Sequence, residues 1–323
     1  MNPKKFTYIF LSLFIVSYTL LYLLYYLVNP EQVFLHSITK KKFFYTKEYS
    51  RRQFKALKEN RYTLLFGTSQ IHKISSKMLG EDLLNFHNIY GEPGDILNFL
   101  HQLDTKQINH IEQILYCIDL SAKADREEGE LIEYDKWKID YPILTIEKLT
   151  RTIEDIVNNH STLAGYLNED GSMEHIDKKQ HSRFPHHPYE IIYSYDDKLI
   201  NGILEIDRWA KDHHKKITFF TPVTSDAFFK TINFKKLSPF FSSLLDGGIQ
   251  NIKLFYHIPG MTDARDDKSE YSSFMDPTHL NVYFVDRWLH QYILTEDRYS
   301  ISDANELNIY IREAERLQAE LKF

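Results

Sequence analysis

The sequence predicts an α/β protein: a doubly wound, mostly parallel five-stranded sheet with an N-terminal transmembrane helix and a helical insertion. Three observations predict it. Residues 6–28 carry no charge, five short apolar runs alternate with amphipathic helical patterns, and the alternation stops over one long interval, 121–195.

At about 1.5 Å of rise per residue, a helix over residues 6–28 covers about 30 Å of hydrocarbon, the thickness of a bilayer core. Lys4 and Lys5 precede it and Asn29-Pro30 follow. Its end, Tyr25-Tyr26-Leu27-Val28, lacks the small residues of a cleavage site, so residues 1–29 are expected to be a retained anchor in membrane lipid rather than a cleaved signal. Tyr18, Tyr22, Tyr25 and Tyr26 suit the interfacial level or a partner helix. Lys4 and Lys5 compete with Lys40, Lys41 and Lys42 for the cytoplasmic side. The reading adopted places the amino terminus inside a cytoplasmic (inner) membrane, as a single-pass protein with its main domain extracytoplasmic.

Residues 30–60 are polar and aromatic, with a charge run at 47–52, and are expected to be a juxtamembrane connector leading into a helix. The main α/β domain is expected over 61–300. Its first strand is Arg61-Tyr62-Thr63-Leu64-Leu65-Phe66, halted by Gly67-Thr68-Ser69. Further strands are expected at 83–89, 113–118, 217–221 and 252–257, with helices at 96–103 and 198–210 between them. Strands alternating with helices imply parallel β-α-β units and a sheet covered on both faces. Within the insertion or lid at 121–195, Ile143, Ile146, Leu149, Ile153 and Ile156 recur at helical spacing, and a polar stretch surrounds Asn168-Glu169-Asp170-Gly171. Residues 301–323 form a C-terminal amphipathic helix. Asp303 and Glu306 read as a capping box, and Leu307, Ile311, Ala314, Leu317 and Leu321 form an apolar stripe needing a partner in this chain or another.

Hydrophobic residues make up 43% and charged residues 26%, enough apolar material for a core and too much for global disorder. The net charge of -6, with basic residues scattered among acids, leaves no broad cationic surface, which excludes nucleic acid as an expected partner. A single cysteine, Cys117, permits no intrachain disulfide and reads as a small buried hydrophobe on a strand. His181, His186 and His187 lack the register of metal ligands, so no metal and no cofactor is expected. His213-His214 sits at a helix end, where cations complement the dipole. The stretch Thr221 to Asp226 is expected on the crevice rim, beside substrate.

In open α/β sheets functional groups gather beyond the carboxyl ends of the strands. Ser69 stands there, although its ordinary reading is the N-cap of a helix running to Met78. Late in the chain comes Asp276-Pro277-Thr278-His279-Leu280-Asn281, where acid and imidazole stand three apart and one turn can present both. Taken alone, that spacing also fits a surface turn.

Together and in this order, Gly67-Thr68-Ser69 and Asp276-Pro277-Thr278-His279 resemble the first and fifth blocks of the SGNH (GDSL-like) hydrolases. The N-terminal anchor and the Asp-x-x-His-Leu-Asn ending are similar to membrane-anchored envelope members of that superfamily. The resemblance implies a flavodoxin-like SGNH sheet, with Ser69 as nucleophile, His279 as general base and Asp276 as the carboxylate that steadies the imidazole. It implies oxyanion donors at the Ser69 N–H and at a glycine after the second strand, Gly94 or, alternatively, Gly91. Two departures stand out: Thr68 replaces the aspartate common before the serine, and Asp119 replaces the asparagine usual in the third block. An ionised Asp119 would repel an oxyanion unless held protonated, or it orients the loop while another group donates. The expected function is a membrane-anchored serine esterase or O-acyl-transfer protein acting on an acyl ester or glycan of the cell envelope. The alternative is a catalytically inactive binding or assembly protein on the same fold. The sequence sets no oligomeric state.

Overall fold

The computed structural model describes residues 2–28, 53–87, 92–120, 144–157, 166–168, 170–174, 197–261, 274, 279–295 and 299–321. In chain order the elements are α1 (Pro3–Val28), β1 (Tyr62–Gly67), α2 (Ser76–Leu79), β2 (Leu83–His87), α3 (Pro93–His101), α4 (Thr105–Asn109), β3 (Ile111–Cys117), α5 (Ile146–Val157), β4 (Tyr166–Leu167) and β5 (Met173–Glu174). There follow α6 (Asp197–Asp212), β6 (Lys216–Phe220), α7 (Asp226–Phe229), α8 (Phe234–Asp246), β7 (Ile252–Lys253), α9 (Val282–Trp288), β8 (Ser300–Ile301) and α10 (Ala304–Glu320).

The main sheet has six strands in the order β2-β1-β3-β6-β7-β8, not five. The first five are parallel and β8 pairs antiparallel with β7. The sixth strand escapes the sequence because it is two residues long, too short for any alternation, and is held by backbone pairing with β7 and by one buried side chain, Ile301. Likewise only Ile252 and Lys253 of the expected run at 252–257 join the ladder, while the chain beyond them stays extended, with Leu254 N–H donating to the Tyr299 carbonyl at 3.0 Å.

Successive strand residues face opposite sides, and both sides are dry. Leu64 and Phe66 of β1 join one core with Ile114 and Phe219, covered by α3, α6, α8 and α10. Leu65 faces the other core with Leu115, Cys117 and Phe220, covered by Leu79 of α2, Val285 and Trp288 of α9, and the π-helical turn Leu289–Ile293 that continues it. Leu64, Leu65 and Phe66 are each fully buried, and each such side chain contributes about 1.5–3 kcal/mol. A run apolar on both faces is what a central parallel strand requires.

Local signals fix the helix ends. Pro93 opens α3, an Asp104–Gln107 capping box opens α4, and Asn233 caps α8 through Lys236 N–H. At α10 the Asp303 carboxylate accepts from Glu306 N–H, and Glu306 accepts from the Ser302 N–H and hydroxyl. The stripe of α10 finds its partner within the chain: Leu307, Ile311 and Ala314 are buried in the core shared with α8. Residues 53–60 also join this core, since Phe54 and Leu57 are buried and the Gln107 side chain donates to the Phe54 carbonyl at 2.7 Å.

The open edge of β2 meets the small antiparallel hairpin of β4 and β5. Asn85 N–H donates to the Asp170 carbonyl at 2.7 Å, and the Asp170 carboxylate accepts from Ser76 N–H at 2.6 Å and from the Ser172 hydroxyl at 2.6 Å. Met173 N–H donates to the His72 carbonyl at 2.6 Å. The insertion therefore grips the segment just after Ser69.

The N-terminal helix α1 is long and apolar enough to cross a membrane, and most of its side chains are exposed.

Candidate active site

Counting the parallel strands alone, the order reverses between β1 and β3, and the crevice beyond their carboxyl ends is where open α/β sheets gather functional groups. β1 ends at Gly67, beside Cys117 at the end of β3. Gly67 has φ +151°, and a Cβ placed on it would lie 2.9 Å from the Cys117 Cβ and 3.2 Å from both the Cys117 carbonyl oxygen and Ile71 Cδ1. Only glycine lets the chain leave the sheet here and turn at once.

Ser69 is the first residue of a 3-10 turn, Ser69–Ile71, behind an extended Thr68. It does not cap a helix to Met78, because the helix that follows is the short α2, whose cap is Ser75, accepting from Met78 N–H. The Ser69 side chain is left for another partner. That partner is His279, whose Nε2 lies 2.9 Å from Ser69 Oγ across 210 residues of chain. With the proton on Nδ1, the serine hydroxyl donates to Nε2, the arrangement a general base needs. The Ser69 N–H stands at the start of its turn, where no intrahelical acceptor exists.

Several side chains hold this pair. His72 donates from Nδ1 to the Ser69 carbonyl, and its ring stands 5.3 Å from that of His279 and 5.9 Å from the buried His87. Lys73 is buried, with its ammonium donating to the Leu280 carbonyl at 2.8 Å, so the turn carrying Ser69 is tied to the residue after His279. Fully buried Asn85 donates to the carbonyls of Ile71 and Ile74, each at 2.8 Å, and accepts from His87 N–H at 3.0 Å. None of these is visible as a motif. His72 and Lys73 belong to no recognisable pattern after the serine, and Asn85 is a single polar residue inside the run at 83–89.

Thr68 donates from its hydroxyl to the Asp119 carboxylate just beyond β3, which fastens the loop after β3 to the serine loop. Burial pushes the Cys117 thiol well above its usual range, and the neighbouring Asp119 adds to this, so the lone cysteine is a packed, protonated side chain. Gly94 is exposed in the first turn of α3, with open space where a Cβ would go, and among the described residues no hydrogen bond ties it to Ser69 or His279. Asp276, Gly91 and the histidines at 181, 186 and 187 lie outside the described residues.

The stretch from Thr221 to Asp226 is interior rather than a rim. Thr221, Val223, Thr224, Ser225 and Asp226 are buried; Thr221 Oγ1 accepts from Phe255 N–H at 2.7 Å and Thr224 donates to the Tyr256 carbonyl at 2.6 Å. Their hydroxyls stitch the end of β6 to the chain that follows β7, and Ser225 caps α7. At the end of α6, His213 donates to the Trp209 carbonyl at 2.7 Å and stacks on its indole.

In the first turn of α3, burial and then the neighbouring Glu92 raise the Asp95 carboxyl to about 6. A carboxyl held above its unfolded value of about 3.9 stabilises the fold fully below about pH 4, and that contribution is lost as pH rises through about 6. Asp95→Asn is expected to leave stability at pH 4 unchanged and to raise it at pH 7.5 by about 1 kcal/mol, after discounting for the partial exposure of the group. Denaturant midpoints at the two pH values check this; an equal shift at both would mean that ionisation of Asp95 is not the cause.

No family model, no curated protein and no solved structure matches this chain.

Proposed function

We propose that this chain is a membrane-anchored serine esterase or O-acyl-transfer protein of SGNH (GDSL-like) type, acting on an ester of the cell envelope. The observation that carries the reading is the 2.9 Å approach of His279 Nε2 to Ser69 Oγ at the point where the strand order reverses. In this reading α1 anchors the protein in the cytoplasmic membrane and the α/β domain faces outward. His279 takes the Ser69 proton as Oγ attacks the acyl carbonyl, and the Ser69 N–H donates to the oxyanion. The tetrahedral adduct collapses with breakage of the ester C–O bond, and His279 returns the proton to the leaving alcohol. Water or an acceptor hydroxyl then attacks acyl-Ser69, with His279 again as base. The family likeness assigns Asp276 to steady the imidazole and Gly94 or Gly91 to a second oxyanion donor.

One observation favours a second reading, a binding or assembly protein without turnover. The Asp119 carboxylate, bonded to Thr68, stands where the family usually has a neutral asparagine donor, and an ionised carboxylate beside a developing oxyanion raises the barrier. A fluorophosphonate probe separates the two. Rapid labelling of the full chain that disappears in Ser69→Ala is the expected result. Absence of labelling in the parent protein, at a pH where other serine esterases react, would sink the enzyme and leave the binding protein.

A further inference from the structure

Outside α1, the described residues expose six large hydrophobic side chains, and four of them, Ile146, Ile153, Ile156 and Val157, lie on α5. Ile146 is 87% and Val157 72% exposed. At helical spacing these four form one stripe; Lys148 and Arg151 lie on the opposite side and Glu147 and Glu154 on its flank, where Glu147 and Arg151 pair at 2.7 Å. The hydroxyls of Thr150 and Thr152 turn back onto the carbonyls of Ile146 and Lys148, at 2.9 and 2.7 Å, and so need no water.

The neighbour of α5 says what covers the stripe. The helix packs against the C-terminal half of α1: near the middle of that helix the Tyr18 hydroxyl accepts from Leu144 N–H at 3.3 Å, and towards its end the Lys148 ammonium lies 5.9 Å from the centre of the Tyr25 ring. Tyr25 and Tyr26, at the end of the span, are the residues that mark the interfacial level of a spanning helix, and Lys148 of α5 lies beside the first of them. A strongly amphipathic helix of low overall hydrophobicity, held at that level, has the composition of a segment lying in the membrane interface.

We infer that α5 is a second membrane contact, an interfacial helix whose Ile146, Ile153, Ile156 and Val157 stripe rests in lipid beside α1. The inference rests on the anchor reading of α1 and is independent of whether Ser69 turns over substrate. The domain is then held to the bilayer at two places, and the insertion that touches lipid is the one whose hairpin grips the turn after Ser69.

Nitroxide accessibility tests it in the full-length protein, reconstituted in vesicles of equimolar phosphatidylcholine and phosphatidylglycerol. Buried Cys117 does not label, so Ile153→Cys, Ile156→Cys, Glu154→Cys and Phe14→Cys can each be labelled singly. The expected result is severalfold greater collision with oxygen than with a water-soluble nickel chelate at 14, 153 and 156, and the reverse at 154. Nickel access at 153 and 156 matching that at 154, with 14 still in lipid, overturns the inference alone. Labels at 153 and 156 shielded from both reagents overturn it in favour of a protein partner or a second copy. Nickel access at 14 overturns the anchor reading, and the inference with it.

Discussion

His279→Ala is expected to lower Ser69-dependent hydrolysis of a soluble aryl ester by on the order of 10⁴-fold, since loss of a serine's general base removes most of its nucleophilicity. The same substitution should cost only about 1 kcal/mol of stability, because the ring is half-buried rather than part of the sealed core. The split between the two readouts is the diagnostic feature. Measured kcat/KM within tenfold of the parent would mean that His279 does not activate Ser69, whatever the distance between them. A comparable fall in stability would mark the contact as structural.

Gly67→Ala carries the largest expected structural effect. A methyl group there meets the Cβ and carbonyl oxygen of Cys117, atoms of a central strand that cannot swing aside, and the backbone at φ +151° is one that side chains rarely adopt. Overpacking and the backbone penalty together are expected to cost about 3 kcal/mol, read as a lower denaturant midpoint at an unchanged slope. Because the nearest clash is with the Cys117 Cβ, adding Cys117→Gly should recover part of the loss and leave the backbone component. Full stability in Gly67→Ala alone would show that the turn relaxes freely, and the close approach of β1 to β3 would lose its importance for placing Ser69.

The parts of this architecture legible in the sequence are those that depend on local pattern. Runs such as Leu64-Leu65-Phe66 announce central strands because both faces of a parallel sheet exclude water, and the spacing along 304–320 announces a helix because one stripe is buried. Ser69 and His279 stand out by their places at strand ends and by a family likeness, and the chain brings them within 2.9 Å of each other. What was not legible depends on distant contact. The helix Phe234–Asp246 is hidden in the sequence although Asn233 caps it, because Pro239 stands in its interior, where a proline ordinarily argues against a helix. The roles of Lys73 and Asn85 are set by carbonyls that folding delivers to them, 207 residues away in the case of Lys73 and Leu280, and His72 meets the ring of His279 only in the fold. Thr221 and Thr224 look like rim residues until the chain after β7 arrives to take up their hydroxyls.

The two rims of the sheet share one property. On one side Asp170 occupies a backbone donor of β2, and on the other the sheet stops at β8, a strand of two residues that runs against its neighbour. Neither rim offers a long row of vacant donors and acceptors for an incoming strand, the feature that templates aggregation. In the membrane-anchored state proposed above, where neighbours meet far more often than in solution, such blunted margins disfavour polymerisation through strand edges.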